Sequence, residues 1–259
     1  MTAGTLLEGA LRRERVLVVG CLLFVIALSW AYLLTGAGMM EEMGDMLMPM
    51  SSGPWTPGHA LLVLAMWAVM MAAMMLPSAA PMILLHATLA RRQGERGAPA
   101  AVSGAVAAGY LTTWAVFSLA ATTLQYALEQ TALLSPMMQT SSRVLAGAVL
   151  ISAGLYQWAP LKQACLRHCR SPLDFVMTHW RPGTRGAFAM GLRHGTVCVG
   201  CCWMLMLLLF VGGVMNLAWI AGIAMFVLVE KLSPAGHWIG RGAGVLLIIW
   251  GVATLFAAA

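Results

Sequence analysis

The sequence predicts an all-α, polytopic transmembrane helical bundle of about seven spans, with the N-terminus cytoplasmic. Three observations lead to this class. Of 259 residues, 61% are hydrophobic and only 9% are charged, whereas soluble domains carry about 25% charge. Mean hydropathy is +0.83, and several apolar runs exceed the roughly 18 residues from which a crossing helix is read. The basic residues fall in alternate segments between those runs, the pattern by which Lys and Arg set orientation. With no soluble module and no obvious internal repeat, residues 1–259 read as a single integral membrane domain.

The first span, 16–35, follows Arg12, Arg13 and Arg15, as the core of a signal peptide would. No small-x-small cleavage site leads into a soluble domain, so this span is expected to stay in the chain. The second, 59–86, is long for one crossing and contains Pro77, which predicts a kink or a tilt. The third, 101–127, carries GAVAAG, and the fourth, 142–160, carries AGAVLISAG. Such small residues let helices approach closely in lipid. The fifth and sixth, 190–211 and 213–230, are separated by little more than Gly212 and Gly213. A broken or re-entrant hairpin there would reduce the count to six. The seventh is 238–257.

With the N-terminus inside, fourteen of the 15 basic residues lie on the cytoplasmic side. They are Arg12, Arg13, Arg15, Arg91, Arg92 and Arg96, then Lys162, Arg167, Arg170, Arg181, Arg185 and Arg193, then Lys231 and Arg241. Only Arg143 falls outside. The outer segment 37–58, AGMMEEMGDMLMPMSSGPWTPG, has three acids and no base. This pattern predicts a multi-pass protein of a bacterial inner (cytoplasmic) membrane, in contact with the lipid bilayer. It also accounts for the net charge of +6 without a nucleic-acid partner.

Cys21 stands alone in the first span and reads as a small apolar side chain. The other five cysteines form two groups. Cys165 and Cys169 lie in PLKQACLRHCRSP, within the basic segment 161–189. On the charge argument this segment faces a reducing cytoplasm, where stable disulfides are uncommon. A short helix there places Cys165 and Cys169 on one face, since i and i+4 adjoin. Cys198 has Cys201 and Cys202 at i+3 and i+4 in a span that enters from the same side. The two groups are expected to meet at the cytoplasmic mouth. Four sulfurs suit tetrahedral zinc, and thiolates also hold copper(I). His168 or His194 can replace a cysteine in such a set. The competing reading is that the thiols only pack. Buried thiolates need compensating charge, for which Arg167, Arg170 and Arg193 are candidates.

The outer segment concentrates Met39, Met40, Met43, Met46, Met48 and Met50 among Glu41, Glu42 and Asp45. Thioethers are soft, neutral ligands that suit copper(I), and His59 lies close enough in sequence to join them. A membrane-surface helix with apolar and acidic faces is the plain alternative. In the second span Met71 and Met75 share a face, as do Met70 and Met74. These four are either a relay or ordinary core packing. Asn216, Glu230 and Lys231 are polar groups near membrane ends, and Glu230 with Lys231 reads equally as a structural ion pair. No HExxH, nucleophile elbow or P-loop is present.

Taken together, MWAVMMAAMMLPSAAPM, YQWAPLKQACLRHCRSP, GTVCVGCCWMLMLLLFVGGVMNLAWI and VEKL occur in an order that resembles the DUF2182 family of predicted metal-binding integral membrane proteins. The similarity runs from the second span through the sixth. It implies that Met71, Met74, Met75, Pro77 and Pro81 belong to one family motif. Gln157, Pro160, Lys162, Cys165, Cys169 and Pro172 belong to a second. Cys198, Cys201, Cys202, Trp203, Met215, Asn216, Glu230 and Lys231 belong to a third. The outer methionines fall in none of them.

The leading expectation is a soft-metal protein, with copper as the metal, acting in handling, relay or delivery to a donor or acceptor protein. A zinc-stabilised scaffold or assembly factor in a membrane complex is the second. A membrane metalloenzyme or thiol oxidoreductase is the third.

Overall fold

A computed structural model describes residues 3–36, 40–43, 46–49, 55–92, 99–135 and 138–257, with backbone alone at 3–15, 40–43, 46–49, 92, 99 and 100. Helix α1 covers Ala3–Leu34. Strands β1 (Met40–Met43) and β2 (Met46–Pro49) follow, and then helices α2 (Pro57–Arg92) and α3 (Pro99–Gln130). Next come α4 (Arg143–Tyr156), α5 (Pro160–Arg170), α6 (Pro172–His179), α7 (Gly183–Leu207) and the single turn α8 (Leu209–Gly212). Helices α9 (Leu217–Leu232) and α10 (Gly236–Phe256) complete the described chain. The all-α class holds, with one small hairpin added.

Among the described residues, five helical stretches are long and apolar enough to cross a membrane: 16–34, 57–91, 101–130, 183–212 and 236–256. The pair α4 and α5, bent by 62°, makes up to six. The expected count of about seven is therefore approximate. Helix α9 has 16 residues, or roughly 24 Å at about 1.5 Å per residue, which falls short of a hydrocarbon core of about 30 Å. Helix α2 continues through both Pro77 and Pro81.

Local chemistry explains the breaks. Pro160 and Pro172 open α5 and α6 at first-turn positions, where a missing N–H costs nothing. These two short helices occupy much of the segment 161–189, and α7 begins at Gly183, earlier than the span starting at 190 that hydropathy suggests. Between α8 and α9 the chain turns at Gly213, whose φ of 94° is the left-handed region that glycine tolerates. Asn216 then caps α9, its Oδ1 accepting from the Trp219 N–H at 3.2 Å.

In the outer segment, residues 40–43 and 46–49 form a strand pair, where the sequence suggested a surface helix or a flexible loop. Met40 pairs with Pro49 and Met43 with Met46 in an antiparallel ladder. Met39 and Met50 lie outside the described residues, as do the side chains of Met40, Met43, Met46 and Met48.

The small residues do what their pattern predicts. A Cβ on Gly109 would sit 2.1 Å from the Phe188 carbonyl oxygen, and one on Gly191 would sit 2.1 Å from that of Val106. Helices α3 and α7 therefore touch backbone to backbone and run in the same direction. Gly147 and Gly154 of α4 meet Gly251 and Gly244 of α10 in the same way, but antiparallel. Helix α2 runs through the core, with Met66, Trp67, Met70, Met71, Met74, Met75 and Leu76 buried. Helices α5 and α6 close one end of this bundle, where Trp180 stacks on His86 of α2 with ring centroids 4.8 Å apart.

A candidate metal centre under helix α5

Helix α7 carries Cys198, Cys201 and Cys202 on consecutive turns, and all three are buried. Their sulfurs lie within 4.8 Å of one another. The i, i+3, i+4 spacing brings them together without help from the rest of the fold. Helix α5 lies across this turn. Its Cys169 Sγ is 3.9 Å from Cys201 Sγ. Cys165 fits against the helix because residue 200 has no side chain: a Cβ there would meet Cys165 Sγ at 2.8 Å. The two cysteine groups thus come together as their spacing suggests. Cys21 is far in sequence and exposed, lining an apolar groove between α1, α2 and α3.

A thioether also reaches the cluster from α2, where Met75 Sδ lies 4.0 Å from Cys202 Sγ. Met70, Met71 and Met74 are buried in the surrounding core. Burial orders the donors: Met75 and Cys202 are completely covered, Cys198 and Cys201 almost so, and Cys165 and Cys169 are half-buried.

The polar setting of Cys198 differs from that of the other thiols. Lys231 Nζ donates to Cys198 Sγ at 2.9 Å and to Ser78 Oγ at 3.1 Å. Ser78 Oγ donates to the Met75 carbonyl at 2.8 Å. Tyr110 Oη lies 3.0 Å from Cys198 Sγ and 3.1 Å from that same carbonyl. Five groups from α2, α3, α7 and α9 therefore form a closed ring of hydrogen bonds around one sulfur. The lysine ammonium supplies the positive charge that a thiolate needs away from water. Cys201 and Cys202 instead donate their S–H groups to the Cys198 carbonyl, each at 3.0 Å.

Glu230 does not serve as the partner of its neighbour Lys231, contrary to the ion-pair reading. It binds Lys162 of α5, with Nζ 2.9 Å from each carboxylate oxygen and both side chains essentially unexposed. The charge beside the thiols is thus a lysine, where sequence reasoning nominated arginines. Arg170 is tied elsewhere, to the Ser233 and Pro234 carbonyls.

Of the two candidate histidines, neither joins the three-cysteine group. His168 is exposed, with Nδ1 2.9 Å from the Ala164 carbonyl oxygen. His194 is buried one turn before Cys198, between the rings of Tyr110 and Phe175. His59 lies at the other end of α2, edge-on to Trp55, and Asn216 is spent on its helix cap. Tyr110 and Ser78 went unnoticed as site residues. A signal existed: each is a polar residue inside an otherwise apolar span, Tyr110 directly after GAVAAG and Ser78 between Pro77 and Pro81.

The donor set suits a soft metal. It offers thiols and a thioether in a buried pocket, and no carboxylate belongs to the three-residue group. Comparison with known proteins points the same way. A family model described as PpoB2, copper chaperone, matches residues 64–254. No curated protein and no solved structure matches the chain.

Proposed function

Because the chain belongs to the PpoB2 copper chaperone family, we propose that its sulfur cluster takes copper(I) as cargo and passes it to a partner protein. The observation that carries this reading is the group of three buried cysteine sulfurs within 4.8 Å, with a fourth sulfur 3.9 Å from one of them. Copper(I) is bound well by a few soft donors and tolerates a neutral thioether.

In this reading Cys198 is the first ligand, because the Lys231 ammonium already donates to its sulfur. Cys201 and Cys202 rotate away from the Cys198 carbonyl to complete the set. Cys169 and half-buried Cys165 form the side through which a partner's thiol attacks, so cargo leaves by ligand exchange under α5. Met75 is the deepest donor, and Met70, Met71 and Met74 line the route toward it. The orientation with α5 in the cytoplasm of a bacterial inner membrane, and the role of segment 37–58 as an outer receiver with His59, belong to the same proposal.

Anaerobic titration of the purified protein against a copper(I) chelator tests it. One tightly held copper per chain is expected in the wild type, with affinity at least about 10-fold lower in Cys198→Ser combined with Cys201→Ser. Equal copper content in both proteins rejects the site. Deleting residues 39–50 should lower copper binding if the outer segment is a receiver, and unchanged affinity and capacity removes that role.

A second reading rests on one observation. Cys169 brings the count of closely placed sulfurs to four, the number that closes a structural zinc site. Stoichiometric zinc that copper(I) does not displace would favour that scaffold role.

A further inference from the structure

Helix α5 has a second face. Cys165 and Cys169 turn toward α7, whereas Gln163, Arg167 and Arg170 turn toward a cavity of about 420 Å³. Helix α10 closes this cavity with His237 and Arg241. Three guanidinium groups and an imidazole share the space, and among the described residues no acidic side chain lines it. Glu230, the acid in the neighbouring layer, is already bound by Lys162. Like charges around one cavity repel each other, so the arrangement favours entry of an anion.

Two of the three guanidinium groups are held in place. Arg170 donates to the Ser233 and Pro234 carbonyls at 2.8 and 2.6 Å. Arg241 lies over the rings of Trp158 and Trp238, 5.6 and 5.4 Å from their centroids. Its Nε is buried, with no hydrogen-bond partner among the described residues. Arg167 is exposed and free to close over a ligand. Trp158 and Trp238, which flank Arg241, are both exposed. Tryptophans in such a place mark the level of lipid headgroups.

We infer that this cavity binds a phosphate oxyanion, supplied either by the headgroup of an anionic phospholipid or by free phosphate. Planar guanidinium forks match phosphate oxygens. A basic pocket between helices at a membrane surface is a setting in which lipid phosphates bind. The site is separate from the sulfurs, and its test is independent of copper. A bound phosphate would also steady α5, the helix that carries Cys165 and Cys169.

The test uses full-length protein in neutral detergent at low ionic strength. Binding of short-chain phosphatidylglycerol, short-chain phosphatidylcholine and inorganic phosphate is measured by calorimetry. Saturable binding of phosphatidylglycerol over phosphatidylcholine, with inorganic phosphate failing to compete, identifies a lipid source. Saturable binding of inorganic phosphate that displaces the lipid identifies free phosphate, and both results support the site. Each arginine removed should weaken binding about 5-fold, and Arg167→Gln with Arg241→Gln together about 30-fold. Arg167→Lys with Arg241→Lys keeps charge and should fall in between, which separates loss of binding from loss of fold. The inference is overturned if the wild type binds neither phosphatidylglycerol nor inorganic phosphate saturably. It is equally overturned if the double glutamine variant binds as the wild type does.

Discussion

Two buried lysines lie in the same layer of this bundle with different partners. Lys162 meets the carboxylate of Glu230 through both oxygens, in a pair sealed from water. Lys231 meets a sulfur and a hydroxyl. The first pair is closed, since each charge is the other's partner and removing one strands the other. The second is open. Cys198 carries charge only as a thiolate, and a metal ion can take over the role of the ammonium. The closed pair ties α5 to α9, while the open one, in the proposed function, prepares a ligand. Adjacent residues 230 and 231 thus take up separate tasks, because successive side chains on a helix point about 100° apart.

The largest expected effect comes from breaking the closed pair. Lys162→Met leaves the Glu230 carboxylate buried alone and should cost about 3–5 kcal/mol, read as early unfolding in a thermal or denaturant melt. Adding Glu230→Leu should restore most of that stability, because an apolar pair of similar volume is tolerated where a lone charge is not. If Lys162→Met melts like the wild type, the pair does not hold α5.

Removing the other cation should behave differently. In Lys231→Met the thiol can remain neutral, so the stability cost drops to about 1–3 kcal/mol. Copper(I) affinity should fall about 10- to 100-fold, the usual effect of losing a group that orients a ligand. The Lys162→Met, Glu230→Leu protein should keep its copper affinity in the same chelator competition. Equal copper losses in both would erase the distinction between the lysines.

Met75→Leu should give the smallest change. The volume is nearly conserved, so less than about 1.5 kcal/mol of stability is at stake. A loss of copper affinity without a shift in the melt would assign Met75 a ligand role, and no change in either would return it to the core.

Much of the site is written in short-range spacing. Cys198, Cys201 and Cys202 adopt the single face that i, i+3, i+4 implies, and Cys165 with Cys169 does so on α5. The glycines of GAVAAG and AGAVLISAG mark two of the closest helix contacts. Other features were less legible. Hydropathy blurred the edge of the fifth span, since α7 starts among Gly183, Thr184 and Arg185, outside the apolar run. It also drew the sixth span at 213–230, with a broken or re-entrant hairpin as the alternative, and α9 there is short. His168 looked like a ligand from its place beside Cys169, but its ring is exposed, with Nδ1 against the Ala164 carbonyl oxygen rather than the sulfurs.

By itself, the sequence determined the helical class, the apolar segments and which side chains share one turn of a helix. These depend on composition and on a fixed period of about 3.6 residues. Only the tertiary structure decided that Lys231 faces Cys198 while Lys162 faces Glu230, and that Tyr110, Ser78 and Met75 complete the ring. Those contacts join residues between 33 and 153 positions apart wherever they cross helices at Lys231. Their register is set by how closely α2, α3, α7 and α9 can pack, and a local pattern carries no measure of that distance.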